Sequence, residues 1–256
     1  MKAMILAAGL GTRLRPLTND RPKALVEVGG RTLLEITLAR LRDFGIRDVI
    51  INVHHFAERI ESYLKAKNDF GMHIELSREE VLLDTGGGLK KAGYFFLDSG
   101  KKDAGREVSG REGPFLLHNA DVISNIDFKQ MLKYHLENKA LSTLAVQDRE
   151  TSRYLLFDDS LQLCGRRAGR DGKPELVRPA TNPQPLAFSG IHMISPRLIP
   201  LMNEEGAFSI IDTYLRLAQQ GEKIVGFRAD EYSWRDLGRP EHVAQAAKDI
   251  SQGALR

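Results

Sequence analysis

The sequence is poor in cysteine, has little net charge and has no long hydrophobic run. Its one cysteine, Cys164, excludes an internal disulfide bond and a cysteine-rich zinc site, and it fits a reducing compartment. The net charge of +3, from 37 basic and 34 acidic residues, is too small to indicate nucleic acid or a membrane surface as a partner. No apolar run approaches the roughly 20 residues that a membrane span needs, and the first residues predict a strand, not a signal peptide. We therefore expect a soluble, cytoplasmic protein.

Apolar runs alternate with amphipathic segments along the chain, whose 256 residues allow one large α/β domain or two small ones. Short apolar runs that end in turn residues predict buried strands, and apolar stripes at helical spacing predict helices. The predicted strands are 3–7, 47–55, 73–77, 113–123, 141–147, a hairpin over 154–165, 186–195 and 223–229; the predicted helices are 32–45, 57–71, 128–140, about 208–220 and from Pro240 onwards. This alternation predicts a mainly parallel sheet with helices on both faces.

Two segments have the composition of loops. Residues 98–113 contain hardly an apolar side chain, which predicts an exposed connection. Residues 165–185 are basic and rich in glycine and proline. Solvated surface is the ordinary interpretation of both segments, and a flap over an anionic ligand is the alternative for the second.

A long glycine-containing loop, "AAGLGTRLRPLTNDRPKAL", follows the first predicted strand. Glycine-rich turns behind a first strand commonly approach phosphates, because backbone N–H groups without a Cβ nearby can surround an anion. The dinucleotide-binding fingerprint is excluded, since Leu14 stands where its third glycine would be and His54 and His55 end the second strand where an acidic residue is needed. The Gly-Lys-Ser/Thr of a Walker loop is also missing.

The same loop carries two cations, Arg13 and Lys23. Arginine presents a fixed fork of donors to phosphate oxygens, whereas lysine acts as a movable point charge. Two such groups on either side of one turn could neutralise a triphosphate at two places. The alternative is a flexible loop with ordinary surface charges, but the pattern is long enough that chance matches should be rare.

The stretch "LAAGLGTRLRPLTNDRPKAL" resembles the signature of sugar-1-phosphate nucleotidylyltransferases, in which Gly-x-Gly-Thr-Arg-Leu-x-Pro-Leu-Thr is followed by Pro-Lys. In that family the glycine loop wraps a nucleoside triphosphate, the arginine contacts the leaving pyrophosphate and the lysine contacts the phosphates at the reacting centre. The resemblance implies that these roles fall on the following residues of this chain: Ala8, Gly9, Gly11, Thr12, Arg13 and Lys23. Arg13 and Lys23 are then the catalytic candidates.

Two aspartates follow predicted strands, Asp121 in "NADV" and Asp236 in "WRDLG". An aspartate in such a position is more often a helix cap than a metal ligand. Both motifs are similar to the metal-binding motifs of the same family, however, and the resemblance implies that the two carboxylates hold Mg²⁺. Ala120 departs from the family pattern, which has glycine there; alanine would cost on the order of 1 kcal/mol if the position needs a positive φ.

The third cluster is "LLDTGGGLKKAG" at 82–93. Three glycines before a helix would leave bare backbone against which a nucleobase could lie, and Asp84 or Thr85 could contact its edge. The plain alternative, a helix N-cap by Asp84 or Thr85, is compatible with this. In the resembling enzymes the segment binds the base, which implies roles for Asp84, Thr85, Gly86 and Gly87.

A sugar-side site is implied by "LAFSGIHMIS", which resembles the family's Phe-Ser/Thr-Gly-Ile strand. Gly190 and Asn119 are the sugar-binding candidates, although a glycine within a strand can also mark a bulge or close packing. The Glu-Lys-Pro of the members that make deoxythymidine diphosphate sugars is missing from "ELVRPATNPQP". The histidines show no ligand spacing and are interpreted as core or surface residues.

The resemblance covers almost the whole chain and implies a Rossmann-like α/β fold with a smaller sugar-binding lobe. It implies one nucleotidyltransferase domain over 1–256, with a nucleotide-binding core in 1–150 and the sugar-binding lobe and last helix in 151–256. The substrates implied are a nucleoside triphosphate and a sugar 1-phosphate, with Mg²⁺, for a monomer or homodimer. The Thr-Gly-Gly-Gly form looks most like N-acetylmuramate-1-phosphate uridylyltransferases; mannose- or heptose-1-phosphate guanylyltransferases and a non-catalytic sensing subunit stay as alternatives.

Overall fold

The computed structural model describes residues 1–97 and 113–251. The predicted connection over 98–113 therefore lies outside the described residues, apart from Gly113. Within the described ranges, no helix is both long enough and apolar enough to span a bilayer.

The strands all take part in one large sheet or in two small ladders. They are β1 Lys2–Leu6, β2 Glu27–Val28, β3 Arg31–Thr32, β4 Asp48–Val53, β5 His73–Arg78, β6 Phe115–Asn119, β7 Val122–Ser124, β8 Ser142–Gln147, β9 Arg153–Phe157, β10 Leu163–Ala168, β11 Glu175–Leu176, β12 Gln184–Ile194, β13 Ile224–Arg228 and β14 Trp234–Asp236.

Five of the α-helices, α1, α2, α5, α6 and α7, correspond to the helices predicted from apolar stripes, whereas α3 and α4 were not predicted in this way. They are α1 Leu33–Asp43, α2 Ala57–Ala66, α3 Asp84–Lys91, α4 Tyr94–Leu97, α5 Phe128–Glu137, α6 Ile210–Gln219 and α7 Pro240–Ser251. Short 3-10 helices at 12–14 and 23–25 interrupt the long loop after β1.

The parallel part of the large sheet has the strand order β6-β1-β4-β5. Such strands need crossover connections, which α1 and α2 provide. On the other side of β6, the long strand β12 pairs antiparallel with β6, β8 and β9, and β13 adds to β8 in parallel. The α/β class with a Rossmann-like sheet is confirmed. The sheet is continuous through residues from both predicted segments, and the division at residue 150 stays a prediction.

Alternate side chains of β1 enter two hydrophobic cores, one on each face of the sheet. Ala3 and Ile5 pack into the core that α1, α2 and α5 cover, whereas Met4 packs into the core under α3, α4 and α6. All three are fully buried. Helices therefore cover both faces, and this explains why the strand reads as a continuous apolar run.

The strand predicted over 113–123 is wrong at its end, because the strand is interrupted at Ala120. β6 ends at Asn119, and Val122–Ser124 leave the large sheet to pair antiparallel with β14 in a separate ladder. This break turns the residue after Ala120 away from the sheet and toward the second aspartate motif.

The loop predicted over 165–185 is partly wrong. β10 continues to Ala168, β11 lies within the segment and β12 begins at its end. A Cβ added at Gly165 would lie 2.3 Å from the carbonyl oxygen of Glu175, so glycine there permits β10 and β11 to approach closely. The composition suggested a loop because the edge strand β11 and the end of β10 are short and polar. The flap hypothesis for the remainder stays a prediction.

Candidate active site

A cleft of about 610 Å³ opens where β1 and β6 end, at the carboxyl edge of the parallel strands. Ligands of open α/β sheets bind at this edge because loops from neighbouring strands meet there. The predicted site residues that line the cleft come from four separate parts of the chain: Ala8, Gly9, Gly11, Thr12, Arg13, Lys23, Asp84, Thr85, Asn119 and Asp121.

The glycine loop is folded back on itself at Gly11. Gly11 has a φ of 65°, and a Cβ added there would lie 3.0 Å from Cγ2 of Thr18 and 3.3 Å from Cβ of Lys23. The Thr18 hydroxyl donates a 2.8 Å hydrogen bond to the Gly11 carbonyl oxygen, which closes the turn. Glycine therefore permits a conformation in which the two predicted cations approach one cleft.

Lys23 contacts Asp121 directly. Its ammonium group donates a hydrogen bond to Oδ2 of Asp121 across 98 positions of sequence. Both side chains are largely buried, at 14% and 22% exposure. The lysine opens the 3-10 helix at 23–25, and the preceding Pro22 sets the direction of the chain with a φ of −68°.

Asp121 and Asp236 are brought together by the small ladder of β7 and β14. In its register Asp236 pairs with Val122, the residue after Asp121. The Leu237 amide donates a 2.8 Å hydrogen bond to the Asp121 carbonyl oxygen, which fixes the two segments side by side. The Gly238 amide donates to Oδ1 of Asp236 over 2.6 Å.

Arg13 lies against the same turn from the side of the glycine loop. A Cβ added at Gly238 would lie 3.1 Å from Nη2 of Arg13 and 2.7 Å from Oδ1 of Asp236. Glycine at 238 thus leaves space for the guanidinium beside the carboxylate. Arg13, Lys23 and Asp121 line the cleft, although their sequence positions are far apart. Asp236 lies beside Asp121 across the ladder and does not itself line the cleft.

The three glycines that were predicted to leave bare backbone for a nucleobase are packed against another segment of the protein. Gly86, Gly87 and Gly88 are buried in the first turns of α3 and are not a loop before a helix. A Cβ at Gly86 would lie 2.3 Å from the Phe208 ring and one at Gly87 would lie 2.4 Å from the Gly206 carbonyl oxygen. Neither glycine lines the cleft; both permit α3 to pack tightly on the 206–208 segment.

Asp84 and Thr85 do line the cleft, but neither is the N-cap of α3. Asp84 has a positive φ of 57° and its Oδ1 accepts a 2.6 Å hydrogen bond from the Thr85 amide. Oγ1 of Thr85 accepts a 3.0 Å hydrogen bond from the Ile210 amide, in the first turn of α6. The threonine therefore joins the two helices that form this wall.

Sequence reasoning missed a buried polar chain below the cleft. Oδ1 of Asn52 accepts a 2.8 Å hydrogen bond from the Ala7 amide, and Nδ2 of Asn52 donates over 2.7 Å to Oε1 of Glu79. The other carboxylate oxygen of Glu79 accepts from the Leu83 amide at 3.0 Å. Asn52 and Glu79 are 2% and 5% exposed, so this chain fixes the start of the glycine loop relative to α3. An asparagine within an otherwise apolar strand was the only sequence signal.

Asn119 and Gly190 lie next to each other on β6 and β12. Gly190 has a φ of 72°, and a Cβ added there would lie 2.7 Å from Nδ2 of Asn119. Asn119 lines the cleft and Gly190 does not. The indole of Trp234 donates a 2.8 Å hydrogen bond to the Ser189 carbonyl oxygen, which ties β14 to this bulged part of β12.

Ala120 does not have a positive φ, so alanine costs no left-handed strain where the resembling motif has glycine. Two of the histidines lie beneath this region in the core. His118 and His192 are almost fully buried, and burial lowers their pKa to about 4 and about 3. They are neutral core residues at ordinary pH, as the sequence predicted.

A model of the nucleotidyl transferase family matches residues 2–253, and so includes every segment of this site. The chain belongs to the nucleotidyl transferase family. It is therefore an enzyme of the nucleotidyltransferase class, and its sequence relatives make sugar-1-phosphate nucleotidylyltransferase the activity that fits.

Two curated relatives differ in base and sugar. The N-acetylmuramate α-1-phosphate uridylyltransferase of Caulobacter vibrioides is 35% identical, with 98% of this chain and 97% of that protein covered. The mannose-1-phosphate guanyltransferase of Candida albicans is 32% identical, with 94% and 62% covered.

A solved structure of similar fold was also found. A putative glucose-1-phosphate thymidylyltransferase from Bacillus anthracis, solved in complex with a sucrose, superposes with a TM-score of 0.75 at 17% identity, covering 97% of this chain and 94% of that one. At this identity the likeness supports the nucleotidyltransferase fold alone.

The donor set fits a magnesium ion that keeps ligands from substrate and water. In the described ranges no group of three or more His, Cys, Asp or Glu side chains could hold a metal ion. Members of this family generally use a divalent metal ion, and Mg²⁺ is commonly bound through one or two carboxylates plus phosphate oxygens and waters. Asp121 and Asp236, adjacent across the β7–β14 ladder, are the two carboxylates predicted for such a site, and their role as metal ligands stays a prediction.

Proposed function

We propose that the chain catalyses the Mg²⁺-dependent reaction of UTP with N-acetylmuramate 1-phosphate to give UDP-N-acetylmuramate and pyrophosphate, a step of cell-wall recycling. The observation that carries the proposal is the convergence of Arg13, Lys23 and Asp121 in one cleft, with Asp236 beside them. The choice of substrates rests on the uridylyltransferase relative, which this chain matches over 97% of its length.

In the proposed reaction an oxygen of the sugar phosphate attacks the α-phosphorus of UTP. The new phosphorus–oxygen bond forms as the bond to the β-phosphate oxygen breaks, and that electron pair leaves with pyrophosphate. A sugar phosphate is already ionised, so no general base is needed. The protein then acts by alignment of the two phosphates and by neutralisation of their charge.

The two cations have separate proposed tasks. Arg13, beside Gly238 at the mouth of the glycine loop, stabilises the charge of the leaving pyrophosphate. Lys23 moves from Asp121 toward the α-phosphate and holds the incoming phosphate beside it. Mg²⁺, held by Asp121 and Asp236, would supply further positive charge at the α-phosphate.

A second candidate is guanylyl transfer to mannose or heptose 1-phosphate. The observation in its favour is the mannose-1-phosphate guanyltransferase relative at 32% identity, although this chain covers only 62% of that protein. Asp84 and Thr85 of the cleft wall are the side chains that could contact the base edge. A non-catalytic sensing subunit is less well supported, because such a protein has no need to keep both cations and both carboxylates.

The test is pyrophosphate release with Mg²⁺, measured for UTP, GTP, CTP, ATP and dTTP against N-acetylmuramate, mannose, glucose and heptose 1-phosphates. We expect one strong combination, UTP with N-acetylmuramate 1-phosphate. GTP with mannose or heptose 1-phosphate would favour the second candidate. No release from folded protein that binds a nucleotide would favour the sensing subunit. The cytoplasmic location and the monomeric or homodimeric state stay predictions.

A further inference from the structure

Arg149 lies just after β8, near Asp236 and next to the residues that line the cleft rather than among them. Its guanidinium carbon lies 3.7 Å from the centre of the Trp234 ring, and Nη2 donates a 2.8 Å hydrogen bond to the Phe188 carbonyl oxygen. Phe188 is two residues before Gly190, and Trp234 is two residues before Asp236. The guanidinium is therefore held between the predicted sugar strand and the predicted metal motif.

The charge of Arg149 has little compensation from the protein. No carboxylate of the described part of the chain forms an ion pair with it. Its Nε is buried without a hydrogen-bond partner in the described ranges, and its remaining hydrogen bond, to the Glu150 carbonyl oxygen, is 3.5 Å long. Burial lowers the pKa of Arg149, and the nearby Asp236 carboxylate acts in the opposite direction.

An incompletely paired, half-buried guanidinium is costly, because its donors lose water without gaining acceptors. A cation–π contact with the indole face of Trp234 offsets part of this unfavourable free energy. The same contact holds the planar guanidinium in one orientation. A fork held in this way is prepared to bind a planar or tetrahedral oxyanion. By contrast, Nη1 and Nη2 of Arg197 each donate a hydrogen bond to one carboxylate oxygen of Glu222.

We propose that Arg149 binds an oxyanion of the sugar substrate and thereby sets the preference for a negatively charged sugar phosphate. The oxyanion is either the 1-phosphate or a carboxylate on the sugar, such as that of N-acetylmuramate. This inference rests on the proposed function. The plain alternative is that Arg149 only positions Trp234 and β12.

The single tryptophan of the chain, Trp234, is a reporter in contact with Arg149. Its fluorescence is followed during titration with N-acetylmuramate, N-acetylglucosamine and mannose 1-phosphates and with uncharged N-acetylglucosamine. The titrations are made with the non-reacting α,β-methylene analogue of UTP or GTP present, and calorimetry provides a second measurement. The variants are Arg149→Gln and Arg149→Lys. The matched control is Arg197→Gln, which removes an arginine that pairs with Glu222.

For Arg149→Gln we expect roughly tenfold or greater weakening of sugar 1-phosphate binding, on the scale of a lost charge-assisted hydrogen bond. Affinity for the triphosphate analogue should stay within about twofold, and Arg197→Gln should behave as wild type. Loss for N-acetylmuramate and N-acetylglucosamine 1-phosphates alike assigns the phosphate. Loss confined to N-acetylmuramate 1-phosphate assigns the carboxylate. Arg149→Lys, which keeps the charge but not the fork, should show a smaller loss and serves if the glutamine variant does not fold.

Unchanged sugar-phosphate affinity in the Arg149 variants would overturn the inference and leave the proposed function intact. Equal weakening of the triphosphate analogue would also overturn it, because a merely structural role disturbs the whole site. Failure of wild-type protein to bind any of the sugar 1-phosphates would overturn both proposals.

Discussion

Lys23 and Asp121 are the side chains through which the glycine loop and the carboxylate pair are in contact. In the free protein they neutralise each other in a largely buried position. A bound triphosphate and metal ion would offer each of them a new partner of opposite charge. We therefore expect the ion pair to hold both side chains in place until substrate binds.

The first residue-scale prediction concerns Asp121. Asp121→Asn should abolish pyrophosphate release, since the amide keeps the shape of the side chain but removes the charge that a metal ion needs. The variant should still fold, with a lower thermal unfolding midpoint, because the largely buried Lys23 loses its charge partner. Asp159→Asn, in the exposed hairpin turn, is the matched control and should keep full activity. Unchanged turnover of the Asp121 variant would reject the metal assignment.

The second residue-scale prediction concerns Arg13. Arg13→Ala should lower kcat by roughly two orders of magnitude or more, the usual effect of losing a group that stabilises developing charge. Arg15→Ala tests whether position matters, because Arg15 is exposed in the same loop and does not line the cleft. The measurement is kcat from steady-state kinetics of both variants. Equal decreases in kcat would indicate a general role of loop charge, and a near-normal kcat for Arg13→Ala would reject the proposed role of Arg13.

At the scale of elements, the wall of the cleft depends on close packing between α3 and the segment before α6. The Gly86 amide donates a 2.9 Å hydrogen bond to the Phe208 carbonyl oxygen, and the Phe208 amide donates over 3.1 Å to the Leu83 carbonyl oxygen. Thr85 adds its hydrogen bond to the first turn of α6. This arrangement carries Asp84 and Thr85 on a rigid support, although the glycines themselves face away from the cleft.

Gly87→Ala tests that support. The added Cβ would meet the Gly206 carbonyl oxygen at 2.4 Å, and backbone cannot rotate away as a side chain can. We expect a loss of about 1–3 kcal/mol in the free energy of unfolding and a raised KM for the triphosphate, because the wall must shift. Gly113→Ala, where an added Cβ has no neighbour within 4 Å among the described residues, is the control for urea unfolding and kinetics. Normal stability and KM in Gly87→Ala would contradict the packing role.

At the scale of the whole molecule, buried histidines make stability depend on pH. Burial lowers the pKa of His118 and His135 to about 4 and that of His192 to about 3, and Arg40 contributes to the shift of His118. The unfolded chain takes up these protons near the ordinary value of about 6.5, whereas the folded chain does not. The free energy of unfolding should therefore fall as pH decreases from about 6.5 toward 4, by up to about 1.4 kcal/mol per pH unit for each histidine.

His135→Asn isolates one contribution to this pH dependence. His135 is 2% exposed, and its Nδ1 is 2.9 Å from the Thr143 hydroxyl oxygen. Urea unfolding at pH 7 and pH 5 should show a smaller loss of stability in the variant than in the wild type, whatever the absolute stability of the variant. His73→Asn, with a 69% exposed ring, should keep the wild-type difference. Equal pH dependence in His135→Asn and wild type would contradict a neutral buried imidazole.

Local patterns predicted most elements because period and turn residues act over a few positions. β1, α1 and the hairpin of β9 and β10 were found within a few residues of their observed limits. The exceptions have one cause in common. The break at Ala120, the glycines inside α3 and the edge strand β11 each depend on a contact with a segment far away in sequence, and such contacts leave no local period.

The sequence by itself determined the chemistry at the glycine loop, because a tight turn at Gly11 and cations at Arg13 and Lys23 lie within one short stretch whose backbone allows few conformations. Only the tertiary structure decided how the remaining groups meet it. The β7–β14 ladder joins the two aspartate segments, the Asn52–Glu79 chain links the loop to α3, and Trp234 holds Arg149 next to β12. These arrangements come from strand pairing and burial, which join residues that local sequence cannot relate.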